Sequence, residues 1–207
     1  MPNADLPPAS PTRTIVCADS LPWMREHGPL AGACAVTSLP DVSEVNIPLP
    51  DWRVWFLDAV QLVVNSVADD SAALFFQSDI KRDGRWIDKG ALVTRAAEDA
   101  GAHILFHKII CRAPAGRLTP GRPGYTHLIA VSRALRCPDA LPIPDVIADA
   151  VRFARDHARA TSIFDPFCGV GTVPAVANAL GLDSLGIEKC RKRAEQSRAL
   201  TVRPDEL

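Results

Sequence analysis

The chain has 207 residues, of which 47% are hydrophobic and 23% charged, and its formal net charge is −1. This is a globular composition, which excludes a fibrous or disordered chain, and the near-zero net charge argues against a nonspecific polybasic binder. The length suits one domain of ordinary size: a loose tail over residues 1–12 and a single domain over 13–207.

No apolar run approaches the roughly 18 residues of a membrane span, and MPNADLPPASPTR lacks the basic and apolar regions of a secretory signal. A soluble, cytoplasmic protein is expected. The six cysteines are scattered with no CxxC pair, so neither a zinc site nor a disulfide framework is expected, and no metal is invoked.

In chain order, TIVCAD (14–19) reads as a strand, and SLPWMREH (20–27) as a helix with Ser20 as N-cap and Pro22 in its first turn. GACAVTSLPD (32–41) is an apolar strand running into a polar loop, and 42–51 reads as irregular. Residues 52–69 carry apolar side chains at helical spacing, with Asp51 as cap. SAALFFQSD (71–79) is a strand, KRDGRW (81–86) a turn or short loop, and 88–102 a helix stopped by Gly101. Strands at 103–112 and 125–133 have only a Pro/Gly/Arg loop between them, so they pair antiparallel. A linker (136–144) leads to an amphipathic helix (145–158). Then come strand SIFDPF (162–167), glycine turn CGVGT (168–172), a helix ending at Gly181, strand SLGIEK (184–189) and a basic helix (190–200). Strands alternating with helices, plus one late hairpin, predict an α/β sheet, mostly parallel with one antiparallel strand.

Charge is unevenly placed. Residues 1–80 carry three basic and ten acidic side chains; residues 81–133 carry ten basic and four acidic. From Gly101 to Pro138 there is no acid, while Lys108, Arg112, Arg117, Arg122, Arg133 and Arg136 lie there. Two readings are open: a solvated face, or a seat for an anionic polymer.

The strongest chemical signal is Ile163-Phe-Asp-Pro-Phe-Cys-Gly-Val-Gly-Thr172, followed by a helix and a strand ending at Glu188. A strand ends, glycines at 169 and 171 let the backbone turn and approach a ligand, and a helix N-terminus follows. An acid at the end of the next strand can accept hydrogen bonds from both hydroxyls of a ribose. Pro174 stands where a dinucleotide-binding GxGxxG needs its third glycine.

DPFCGVGT, a helix ending ALG, LGIEKC and a basic helix together resemble S-adenosylmethionine-dependent methyltransferases of the amino-methylating nucleic-acid type. IVCADSLPWM…GACAVTSLPD resembles that family's strand ending in Asp, helix, and strand ending in a TSPPY-like loop. Here the loop precedes the glycine motif by more than a hundred residues, the circularly permuted order of one class, similar to DNA N4-cytosine and N6-adenine methylases. The likeness spans roughly residues 13–200. It implies a class I methyltransferase (Rossmann-like) fold with a seven-stranded, mostly parallel sheet, one antiparallel strand and S-adenosylmethionine as cofactor. It places Asp19 and Thr37, the run Asp165, Pro166, Phe167, Cys168, Gly169, Gly171 and Thr172, and Glu188 at the cofactor, with Asp165 near the methionine end and Glu188 on the ribose. It makes Ser38, Leu39, Pro40 and Asp41 the catalytic loop, and implies an exocyclic amino group of a DNA or RNA base as acceptor.

The loop departs from the family pattern. Leu39 replaces the first proline and Asp41 replaces the aromatic that stacks on the flipped base. Ser38 retains the polar first position. Asp41 either holds the acceptor amino group or its proton, or caps a turn leading into VSEV. Trp52 and Trp55, at i and i+3, read as core. Trp86, flanked by charges, is the stacking candidate, and Arg117, Arg122, Tyr125 and His127 are placed at the acceptor mouth, with a packed strand-end histidine as the alternative for His127. The expected partner is DNA or structured RNA, with the protein as monomer or homodimer. Two other functions stay open: a non-catalytic cofactor-binding subunit, disfavoured by Ser38, Pro40, Asp19 and Glu188, and a small-molecule methyltransferase, disfavoured by the acid-free stretch.

Overall fold

In the computed structural model, residues 10–114, 116–121, 123–139 and 146–207 are described. Most of the expected tail, Arg122 and part of the 136–144 linker lie outside them. The elements run β1 (Arg13–Val16), α1 (Ser20–His27), β2 (Ala33–Thr37), α2 (Val42–Val45), α3 (Leu49–Asn65), β3 (Ala73–Gln77), β4 (Ile80–Arg82), β5 (Arg85–Ile87) and α4 (Lys89–Asp99). They continue β6 (His103–Cys111), β7 (Tyr125–Ser132), α5 (Val146–Asp156), β8 (Ser162–Asp165), α6 (Thr172–Ala179), β9 (Asp183–Ile187) and α7 (Arg191–Ala199).

The sheet has seven strands in the order β1-β9-β8-β2-β3-β7-β6. All pairings from β1 to β3 are parallel, and β7 runs antiparallel to both β3 and β6, as the sequence predicts. The central strands read as near-continuous apolar runs because helices cover both their faces. Successive residues point to opposite sides: Phe75 joins a core with Trp52, Phe56 and Val93 from α3 and α4, while Leu74 joins a core with Val151 of α5 and Val176 of α6. Trp52, Phe56, Phe75 and Phe164 are fully buried, each stabilising the fold by about 1.5–3 kcal/mol.

Strands β2 and β8 are neighbours, so the loops after Thr37 and Asp165 emerge side by side despite their separation in the chain. Strand β7 starts at that same edge, where His127 pairs with Gln77. The sheet edge beyond the ends of its parallel strands is where α/β folds bind ligands.

Four local expectations are corrected. Asp19, not Ser20, is the N-cap of α1; its carboxylate accepts from the Leu21 N–H at 3.3 Å. Helix α3 starts at Leu49 behind Pro48, so Asp51 lies inside its first turn. The segment after Asp41 is not irregular: Val42–Val45 forms a helical turn, with Glu44 reaching back to the Asp41 N–H at 2.8 Å. Finally, 81–86 belongs to a hairpin, β4 against β5. Asp83 (φ 50°) and Gly84 (φ 72°) both adopt the left-handed conformation that a two-residue hairpin turn requires.

Candidate active site

Among the described residues, two cavities open at the strand-end edge of the sheet. The first, about 550 Å³, is lined by Asp19, Ser20, Trp55, Phe167, Gly169 and Glu188, among others. Its floor is the glycine turn. Gly171 has φ 93°, and a Cβ there would lie 2.7 Å from the Ser197 Cα, so only glycine lets α7 pack against the turn. Gly169, at φ 55°, has open space where a Cβ would stand and lines the cavity. Glu188 is buried and held by the Cys190 N–H at 2.7 Å, which fixes its carboxylate at the cavity wall. Asp19 sits at the rim, paired with Lys189 at 2.8 Å.

Asp165 lies beneath the turn. Its carboxylate accepts from the Thr37 hydroxyl at 2.7 Å and from the Phe167 N–H at 3.2 Å, tying β2 to β8. Burial pushes its carboxyl up to about 7; these two hydrogen bonds pull against that, and the nearby Glu188 charge adds to it. Ser20 donates to the Pro166 carbonyl, which locks the start of α1 onto the turn. Burial pushes the Cys168 thiol up to about 12, so it stays protonated and serves as a small packing group. Thr172 begins α6.

The second cavity, about 680 Å³, is lined by Ser38, Leu39, Asp41, Phe76, Asp79 and Lys89, and by the cationic Lys81, Arg82 and Arg112. The two cavities share Ser38, Leu39 and Glu44, so the loop after β2 forms the wall between them. That loop is held from below. The Leu39 side chain is buried in the core, so only its backbone can face a ligand. The Pro40 carbonyl accepts from the Trp52 indole at 3.2 Å. Asp41 occupies the N-cap of α2 and pairs with Lys89. Its side chain is 37% exposed, whereas that of Lys89 is 4% exposed.

Asp79 organises the far side of this cavity. One carboxylate oxygen accepts from the Lys89 N–H (2.8 Å) and faces His127 Nε2 (2.9 Å); the other accepts from the Trp86 indole (3.1 Å) and the Tyr125 hydroxyl (2.7 Å). Burial would raise the Asp79 carboxyl, but these hydrogen bonds and the His127 charge outweigh it and hold it below the usual range. The Asp79 hydrogen bond is the main cause that lifts the Tyr125 phenol to about 12. His127 Nδ1 faces His107 Nε2 at 2.9 Å, and burial, with the His127 charge, lowers His107. Asp79, Asp88 and His127 lie close enough to share a metal ion, but the Asp79 oxygens already meet four partners and Asp88 accepts from the Ala91 N–H.

Several expected acceptor residues are therefore placed differently. Trp86 is half exposed, yet its indole turns to Asp79, and neither it, Tyr125 nor His127 is among the residues that line the cavity. His127 takes the packed strand-end alternative. Arg117 is exposed on the β6–β7 loop outside the cavity. The acid-free stretch is not one patch, because β7 carries the chain back across the sheet. Arg133, at its far end, is tied to Asp69 at 2.6 Å and to the Val67 carbonyl. Arg112 alone of the six stretch cations lines the cavity among the described residues.

Sequence reasoning passed over Asp79, Lys89 and Trp55. Trp55, expected in the core, lines the first cavity, edge-on to Phe167 at 5.8 Å. The available signal for Asp79 was polar Gln77-Ser78-Asp79 at the end of a buried strand, the same placement that singled out Glu188. Nothing in the helical pattern distinguished Lys89 from a solvated lysine.

No family model and no curated protein matches the chain. Solved structures do. A candidate DNA modification methylase of Thermus thermophilus, complexed with S-adenosyl-L-methionine, aligns over 91% of this chain and 93% of its own at 18% identity, with a TM-score of 0.68. The M1.HpyAVI–SAM complex aligns over 91% and 99% at 13% identity (TM-score 0.63). PvuII DNA methyltransferase (cytosine-N4-specific) aligns over 91% and 86% at 11% identity (TM-score 0.69). At such identities the likeness establishes the architecture: this chain has the class I methyltransferase fold, with the loop-bearing strand β2 ahead of the glycine-turn strand β8 in the chain.

Proposed function

We propose that the chain is an S-adenosylmethionine-dependent methyltransferase acting on an exocyclic amino group of a base in DNA or structured RNA. The observation that carries this reading is the pair of cavities that share the Ser38–Asp41 loop as a wall, one lined by Gly169 of the glycine turn and by Glu188, the other by Lys81, Arg82 and Arg112 together with Asp41, Glu44 and Asp79.

The first cavity is of small-ligand size, and its groups fit the cofactor. Glu188 accepts hydrogen bonds from the ribose hydroxyls. Asp165, buried beneath the turn and outside the cavity lining, is assigned to the amino acid's ammonium on the family resemblance alone. Trp55 and Phe167 offer apolar wall, and Gly169 admits close backbone approach. The cofactor supplies an already activated sulfonium methyl, so catalysis is mainly positioning. Ser38 or a loop carbonyl accepts one hydrogen bond from the acceptor amino group and helps aim its lone pair. Lys81, Arg82 and Arg112 meet the phosphates around the target. The DNA methylases that share the fold make DNA the first polymer to test.

The test is tritium transfer from labelled cofactor into genomic DNA, tRNA and rRNA of a deletion strain, with calorimetry for cofactor binding. Transfer into one polymer is expected. Tight cofactor binding without transfer to any nucleic acid would replace this reading with that of a partner-activating subunit; absent binding would end both.

A further inference from the structure

Lys89 is a buried cation at an acceptor cavity, and it is aimed. Its backbone N–H is clamped by Asp79 at 2.8 Å, and Asp79 is itself held by Tyr125, Trp86 and His127. The preceding Asp88 caps α4 through the Ala91 N–H at 2.8 Å. From this fixed base the ammonium reaches Asp41, and both side chains line the cavity beside Ser38.

An ammonium only donates hydrogen bonds and an ionised carboxylate only accepts them. Side by side, they complement a base edge that carries an acceptor next to a donor. That edge is the ring nitrogen beside an exocyclic amino group: N3 and N4 of cytosine, or N1 and N6 of adenine. On the same Watson–Crick edge guanine, uracil and thymine present a ring N–H, which would oppose the ammonium. We propose that the Asp41–Lys89 pair reads this edge, the carboxylate accepting from the amino group to be methylated and the ammonium donating to the ring nitrogen. The inference rests on the function proposed above. It gives Lys89 a specificity role and lets edge reading stand in for the aromatic that position 41 lacks. During transfer the amino nitrogen bonds the methyl carbon as the carbon–sulfur bond breaks, the thioether leaves neutral, and one amino proton passes to Asp41 or solvent.

Single-turnover transfer should be measured on DNA and RNA oligonucleotides containing cytosine or 3-deazacytosine, and adenine or 1-deazaadenine, in which a C–H replaces the ring acceptor. Whichever natural base is the substrate, its deaza analogue should react at least about 10²-fold more slowly with the wild type, since a site built to donate to a group rejects the analogue lacking it. Lys89→Met should slow the natural base by a similar factor and bring the two substrates to near equality, whereas Lys89→Arg should keep part of the discrimination. A purely structural lysine would slow both substrates alike and leave their ratio unchanged. Wild type that does not distinguish the analogue, or Lys89→Met that keeps the wild-type ratio, overturns the inference while leaving the proposed function standing. Transfer to no oligonucleotide by cofactor-bound wild type ends both. If Lys89→Met does not fold, the wild-type comparison alone decides.

Discussion

Replacing Asp79 by Asn tests the anchoring logic of the site. The side chain is almost fully buried, and its two oxygens face two groups that can only donate: the Lys89 N–H on one and the Trp86 indole N–H on the other. Asparagine has one oxygen. Either orientation of the amide sets an N–H against an N–H, while the Tyr125 hydroxyl and His127 can rearrange to accept. Trp86 is half exposed and water can reach it, so the amide oxygen should stay with Lys89. The loss of charge-assisted bonds and one poorly satisfied donor cost about 2–4 kcal/mol. For a domain of this size that lowers Tm by roughly 5–15 °C.

A second readout is specific to the network. Tyr125 is the only tyrosine in the chain. Its phenol is lifted to about 12 chiefly by the Asp79 hydrogen bond, then by burial and the Asp79 charge. The folded protein therefore keeps a proton that the unfolded chain loses above the ordinary value of 10.0. Wild-type stability should fall as pH rises from about 10 to about 12. In Asp79→Asn two of those causes disappear, the phenol returns toward its ordinary range, and this slope flattens. Tyrosinate absorbance against pH, with thermal melts, reads both effects. A wild-type Tyr125 that titrates normally, or a variant that melts with the wild type, would refute the reasoning.

Glu188→Ala should weaken S-adenosylmethionine binding roughly 10- to 150-fold, the worth of one charge-assisted hydrogen bond at about 1.5–3 kcal/mol; unchanged calorimetric affinity would remove Glu188 from the cofactor site. Asp165, lifted to about 7, should make the unliganded fold less stable as pH rises from about 4 to about 7, because the folded state there holds the extra proton. A bound ammonium favours the carboxylate, so cofactor affinity should rise roughly tenfold between about pH 6 and 8, and Asp165→Asn should abolish that dependence. Gly171→Ala should displace α7 and weaken both stability and cofactor binding, since the added Cβ would lie 2.7 Å from the Ser197 backbone; Gly169→Ala, which meets nothing within 4 Å, should destabilise less and act mainly on binding. Equal melting temperatures for the two would show that the close approach is not limiting.

The sheet was legible from the sequence because its information is local. Runs such as ACAVT and ALFFQ are short, apolar and followed by polar residues, as strands buried on both faces are, and the turn through Gly169 and Gly171 marks where a strand gives way to a helix. The hairpin over 80–87 was also locally encoded, in Asp83-Gly84, but its strands are three residues long and carry little apolar alternation. Glu188 could be singled out because strand ends share one edge of a parallel sheet, whereas Asp19 and Asp165 were picked out by the family resemblance. The acceptor side could not, because its residues acquire meaning only through distant partners. Lys89 looks like any helix-start lysine until β2 brings Asp41 to it, and Tyr125 and His127 look like ligands until Asp79, from the neighbouring strand, takes their polar atoms. The basic stretch is divided for the same reason: an antiparallel strand carries Arg112 and Arg133 to opposite ends of the sheet, where one lines a cavity and the other anchors a turn. Sequence determines which residues can bond; only the crossing of the chain in space determines which of them find each other first.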